Sequence, residues 1–336
     1  MDQNGSSSVP SSSGAQTSAS IISGFGRRIF AFLIDAAILG LSGYLLGLLF
    51  FDCFSRMAGW GRLLGFFIAF SYFGLLNSTV GGGRTIGKRL AGIRVQSGNG
   101  NSISVSRSFF RFTILATPFF LNGAIIPTSI AVTPLGLMIS LAVFGLGGTI
   151  LYLAVFNRRS RQSLHDLIAK TYVVAADCPA GIGLPAVWKW HLLIAAVWLL
   201  VVAVFTTIVT TGVNRDGMLS KLIAAQKCIE GSGKVHVANI LMGKDTINGK
   251  EVKYCKATAI WKNKPEDFNK AISEVAATML YECPNIMNQD LLSITVMYGY
   301  DIGIARSWEK CSAQHSPGEW SKMLDALAPK GRGTRT

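Results

Sequence analysis

Charge is scarce in this chain, and negative charge is scarcest. Only 15% of its 336 residues are charged, 18 acidic against 32 basic, and half are hydrophobic. Soluble proteins carry roughly 25% charged residues, so the deficit argues against an ordinary water-soluble domain and points to lipid. Histidine is rarer still, with 4 in the whole chain. No second His or Cys stands at ligand spacing from His165, which leaves a metal centre without support. No nucleophile motif is visible either. The chain is therefore expected to be neither an enzyme nor a cofactor carrier.

The net charge of +14 raises the question of nucleic acid, and position answers it. Residues 1–212 hold 15 Lys and Arg against 5 Asp and Glu; residues 213–336 hold 17 against 13. The surplus sits mainly between long apolar runs, a pattern of membrane orientation rather than of a nucleic-acid groove. No nucleic-acid partner is expected.

Residues 1–22 are mostly Ser, Gly, Asn and Gln. They cannot bury enough apolar surface to order themselves and are expected to be disordered. Five apolar runs follow: 29–51, 63–80, 112–132, 135–156 and 192–209. Each has the roughly 18–23 residues that cross a bilayer as a helix. Pro118, Asn122 and Pro127 interrupt the third, which predicts a kink or a broken helix there. Arg27 and Arg28, the segment 81–111 and the segment 157–191 together hold 13 basic residues, against only Arg56 and Arg62 in the opposite short loops. The positive-inside rule then puts the N-terminus in the cytoplasm, and five crossings put residues 213–336 outside. The expected architecture is an α-helical transmembrane bundle of five helices over 23–212, in the inner membrane, carrying a small α+β extracytoplasmic domain over 213–336.

That outer domain predicts a helix over 217–229, a hairpin turning at Asn248-Gly249, a helix opened by Pro265 and a strand over 292–298; Asn-Gly is the strongest short hairpin signal. Ile302, Ile304 and Arg306 suggest a partner strand. Cys228, Cys255, Cys283 and Cys311 all fall in this region. An even count outside the cell favours two disulfides over buried free thiols, with three pairings open. Trp261, Trp308 and Trp320 fit core packing better than a pocket.

The stretch GGGRTIGKRL at 81–90 places four residues between Gly82 and Gly87-Lys88, close to the spacing of a phosphate-cradling loop. That mechanism needs a preceding strand and a Ser or Thr after the Lys. Here an apolar run precedes it and Arg89 follows, so the resemblance fails. The alternative is an interfacial segment whose Lys88, Arg89 and Arg94 meet anionic lipid headgroups while Ile86, Leu90 and Ile93 face lipid.

Within the first run, Asp35 lies seven residues beyond Arg28, about 10 Å deeper in the helix. An acid inside the bilayer needs a partner and marks a functional hypothesis. Arg28 leans the same way along the helix and is a poor partner; Arg111, at the start of the third run, is the candidate. Asp35 then either locks helices together or binds and relays a cation or proton. His165-Asp166 reads as a surface pair at the membrane edge, with Asp166 able to satisfy Arg28 or Arg111. Gly43 and Gly47 form a small-residue pair that permits close helix approach; oligomerisation is open.

Three blocks, RRIFAFLID with Arg28 and Asp35, GRTIGKRLAGIRV, and SLHDLIAKTYVV with Asp166, together resemble the RDD family of membrane proteins. The resemblance covers roughly residues 24–175. It implies a helical membrane module of unsettled biochemistry for which transport has been proposed, with Arg28, Asp35 and Asp166 as the residues of the family name. Two functions follow as expectations. One is transport or handling of a small ion or ligand. The other is a non-transporting scaffold or sensor that shows its C-terminal domain to an envelope partner.

Overall fold

The computed structural model describes residues 22–126, 130, 133–178, 185–215, 217–247, 249–282 and 288–327. The expected disorder of 1–22, together with Pro127, Asn248 and Cys283, therefore lies almost wholly outside the described residues. Four stretches among them are long and apolar enough to cross a membrane: Phe25–Leu49, Phe51–Leu76, Pro134–Phe156 and Lys189–Gly212. Their large side chains are widely exposed, Leu49 at 76% and Phe205 at 66%, as helices do when lipid rather than protein covers them.

The chain divides into two compact units. The first contains the residues up to Gly40, Phe66–Asn122 and Leu141–Val202; the second contains Leu41–Gly65, Gly123–Ser140 and everything from Ala203 onward. Helix α1 (Phe25–Leu49) belongs to both, as do α3 (Gly61–Leu76) and α9 (Lys189–Arg215), while the short α2 (Phe51–Met57) lies in the second.

In the first unit, α3 ends at Leu76, where Gly82 and Gly83 with φ of 66° and 74° turn the chain. A single turn of helix, α4 (Ile86–Leu90), follows, capped by the Thr85 hydroxyl accepting from the Lys88 N–H. Strand β1 (Ile93–Ser97) pairs antiparallel with β2 (Thr171–Ala175), Val95 opposite Val173. The third apolar run differs from expectation. Helix α5 (Val105–Leu121) starts at the Ser104 cap, seven residues before that run, and ends before Asn122. At 17 residues it is shorter than the four apolar stretches, so five spans are not confirmed. The aromatic face of α5 packs on α3: Phe70 on Phe109 at 4.3 Å and Phe73 on Phe112 at 4.9 Å between ring centroids. A long helix follows that begins in the second unit as α6 (Pro134–Ser140) and enters the first through a widened π-type stretch, Leu141–Leu146, that leads into α7 (Gly147–Phe156). The five-residue α8 (Leu164–Ile168) then leads into β2.

The second unit carries the α+β domain. After α10 (Met218–Gly231), four strands lie in the order β3 (Val235–Ile247), β4 (Lys250–Trp261), β5 (Leu291–Asp301), β6 (Arg306–His315). The β3–β4 hairpin closes with Ile247 opposite Lys250, and Gly249 takes φ 76°. Strands β4 and β5 are parallel, which requires a crossover; α11 (Phe268–Glu282) supplies it. Ile272, Val275 and Met279 on α11, with Trp320 on α12 (Pro317–Leu327), pack on the sheet face formed by Ala257, Ala259, Leu292, Ile294 and Val296. The partner of β5 begins only at Arg306, and Ile302 and Ile304 form the turn before it.

Two disulfides do not form, because Cys255 and Cys311 are free thiols. Cys255 is fully buried on β4, and Cys311 lies on β6, two strands away. Neighbouring strands stand about 4.8 Å apart, so the two exceed the roughly 7 Å reach of a disulfide between Cα atoms. Burial pushes the Cys255 thiol up to about 12.

Candidate functional site

Two buried carboxylates organise the first unit. Asp166, on α8, is 1% exposed. Its Oδ1 accepts from Arg111 Nε at 2.9 Å, Arg111 Nη2 at 2.7 Å and the Thr171 hydroxyl at 3.0 Å. Its Oδ2 accepts from Arg28 Nη1 at 3.4 Å and lies 3.7 Å from His165 Nε2. Burial alone would raise this carboxyl, but the Arg111 and Arg28 guanidinium groups outweigh it and hold the group below the usual carboxylate range. His165 is buried too, rather than displayed at the membrane edge. Burial lowers it to about 3 despite the pull of Asp166, so the ring is neutral at ordinary pH.

Asp35, on α1, is also 1% exposed, and its partners are not the expected ones. Arg111 is committed to Asp166. Asp35 instead takes three neutral donors: Tyr72 Oη at 2.7 Å, Thr85 Oγ1 at 2.6 Å and the Gly87 N–H at 2.8 Å. Both hydroxyls accept from backbone N–H groups, Ile86 onto Tyr72 and Lys88 onto Thr85, which leaves their own hydrogens for the carboxylate. This settles the role of the Gly-Lys stretch. A Cβ on Gly87 would collide with the Ala31 carbonyl oxygen and sit 2.9 Å from the Asp35 carboxyl carbon. Glycine is what lets α4 approach α1, and the anion its N–H meets is the protein's own.

Lys88 follows directly. It is half-buried rather than reaching to lipid headgroups, and its Nζ donates to Asn77 Oδ1 at 2.8 Å beside the Phe73 ring. Burial, reinforced by Arg111 and Arg28, lowers it to about 7, against the opposing pull of Asp35 and Asp166. Arg94 also turns inward, donating to the Cys178 carbonyl at 2.8 Å, while Arg89 stays exposed. With two Asp, two Arg and Lys88, the cluster carries +1 when Lys88 is charged and is balanced when it is neutral.

Sequence reasoning found Arg28, Asp35, Arg111 and Asp166 but missed Tyr72, Asn77 and Thr85. Asn77, a lone amide closing an apolar run, was the one local signal. No group of three or more His, Cys, Asp or Glu among the described residues could hold a metal ion.

In the second unit the small-residue pair Gly43 and Gly47 serves a different purpose from helix pairing. A Cβ on Gly47 would strike Tyr300, one on Gly65 the Ile302 carbonyl oxygen, and one on Gly43 would lie 2.9 Å from Ala305 Cβ. The β5–β6 turn is seated in this glycine groove. Two polar contacts frame it: Arg62 Nη1 to Asp301 Oδ2 at 2.6 Å, and Tyr298 Oη to Asp52 Oδ1 at 2.8 Å.

No curated protein and no solved structure matches the chain. The model of the RDD family does match, over residues 22–170. That match ends just past the Asp166 cluster and takes in every residue of the buried charge network but Thr171. Over this region, which is less than half of the chain, the match and the apolar helices are consistent with an RDD family membrane protein.

Proposed function

We propose that the helical unit handles a proton, and through it a small ion, with Lys88 as the group that titrates. The single observation that carries this reading is where the Lys88 ammonium sits. Its hydrogen-bond partner is a neutral amide, yet it lies within the field of two carboxylates and two guanidinium groups, and it titrates at about 7. Asp166 and Asp35 are saturated with donors and form the frame around it. Intramembrane and juxtamembrane ionisable groups of this kind mark ion and proton paths.

The accompanying topology has five crossings, with the N-terminus cytoplasmic, the C-terminal domain extracytoplasmic and the chain in the inner membrane. Pairing of β1 with β2, and of Arg111 with Asp166, brings the start of α5 and the end of α7 to the same polar cluster. The chain between them must leave that cluster and return, so α5 goes out and α6–α7 comes back. At 17 residues, α5 is about 25 Å long, near the lower limit for a span.

The test is flux. In proteoliposomes, wild type should move protons or a monovalent cation above empty vesicles, with a rate inflecting near neutral pH. Lys88→Arg should erase that inflection. Absence of flux across Na⁺, K⁺ and H⁺ would sink the reading.

A second reading has its own support in the glycine groove. A folded domain pressed against α1 and α3 suits a scaffold or sensor that presents residues 213–336 to an envelope partner. Full function after deletion of those residues, with no partner recovered by crosslinking, would remove it.

A further inference from the structure

The first unit holds a cleft of about 530 Å³ that the charge network does not use. We propose that it binds a phosphate-bearing anion, held by Arg107 and Lys170. The volume lies within the roughly 300–1,000 Å³ of small-molecule sites. Among the lining residues two are cationic and none is acidic. Ser97, at the end of β1, and Asn99, in the loop after it, add a hydroxyl and an amide, and Tyr172 and Gln162 complete the polar lining.

Arg107 is built for this task. Its Nε and Nη2 donate to the carbonyls of Ala169 and Lys170, both at 2.6 Å. These bonds fix the guanidinium plane and leave Nη1 to meet a ligand. A rigid guanidinium recognises phosphate oxygens with little further loss of freedom. Lys170 follows α8 in a left-handed conformation, φ 51°, with its carbonyl tied down by Arg107 and its side chain exposed. The two cations are thus placed by the same pair of hydrogen bonds.

The depth of the cleft suggests the source of the phosphate. Val187 in its lining directly precedes Trp188 and Trp190, exposed at 51% and 58%, at the start of the apolar α9. Exposed Trp at the end of an apolar helix marks the membrane–water interface. The cleft therefore opens at headgroup level, where a phospholipid headgroup and a free phosphate ester can both reach it.

The experiment uses the full chain in non-ionic detergent, titrated calorimetrically with dihexanoyl phosphatidylglycerol and, separately, with inorganic phosphate. Saturable binding of at least one is expected, weakened about tenfold by Lys170→Gln through loss of one charge-assisted contact. Gly98→Glu is the second variant. A Cβ at Gly98 meets nothing within 4 Å, so the fold is kept while an acid enters the cleft, and binding should be lost. Binding of the lipid alone assigns a headgroup, and binding of phosphate as well assigns the anion itself. Saturation by neither, or unchanged affinity in both variants, overturns the proposal.

Discussion

In the helical unit the side chains that join α1, α4, α5 and α8 are Asp35, Thr85, Arg111 and Asp166, all at most 5% exposed. In the C-terminal domain the equally buried side chains are Ile272, Met279, Leu292 and Ile294. The solvent explains the contrast. In water, burying apolar surface is the dominant driving force. Between helices already in lipid, apolar contact gains little, so polar pairs and close backbone approach must fix which helix meets which. The glycine groove that seats the Tyr300 turn uses the second device, close approach, where the charge network uses the first.

The largest effect should come from breaking the polar side of this comparison. Arg111→Gln leaves Asp166 buried with a single distant guanidinium and should cost about 3–5 kcal/mol, read as a lower melting midpoint in detergent. Adding Asp166→Asn to the same chain should restore much of it; a double variant as unstable as the sum would refute the pairing as the source. On the apolar side, Ile294→Ala, at a fully buried position, should cost about 2–5 kcal/mol and lower the domain's resistance to urea. If it did not, the domain's core would lie elsewhere.

The groove can be tested by covalent capture. Gly43→Cys with Ala305→Cys should crosslink on mild oxidation, and Gly65→Leu should abolish the crosslink by driving a side chain into the Ile302 carbonyl. Persistence of the bond in that background would show that the turn does not rest there.

A smaller effect concerns pH. Lys88 has its folded value depressed from 10.5 to about 7, so above 7 the unfolded chain binds the extra proton. Stability should therefore rise as pH climbs from 7 toward 10.5, and Lys88→Met should flatten that rise. A wild-type profile already flat over this range would place the ammonium in water. The smallest effect belongs to the cysteines. With Cys255 and Cys311 as free thiols, both should react with an alkylating reagent once the chain is unfolded without reductant, and failure of either to react would reinstate a bridge.

Much of the membrane architecture was legible because it rests on local quantities. Apolar length marked α1, α3, α6–α7 and α9; at the third run it misplaced the helix, since α5 starts seven residues earlier and ends before Asn122. Period-two alternation marked β5, and Asn248-Gly249 marked the β3–β4 turn. The identity of the charged residues at the site was legible too, since any charge in an apolar run is conspicuous. Their pairing was legible in part. Asp166 takes both Arg28 and Arg111, as the sequence offers, from 138 and 55 positions away. Asp35, for which Arg111 is the sequence's candidate, takes a neutral Thr–Tyr–glycine set instead.

Local patterns along the chain were enough to tell that lipid suits the helices, that a cysteine-bearing α+β domain follows them, and which ionisable residues lie among them. These depend on composition and short-range periodicity, which any one segment carries alone. It took the folded chain to show that Asp35 meets no base, that the Gly87 N–H serves this internal carboxylate, and that Gly43 and Gly47 receive a β-turn rather than a helix. Hydrogen bonds and close contacts act over a few ångströms, between segments whose separation along the chain says nothing of their separation in space.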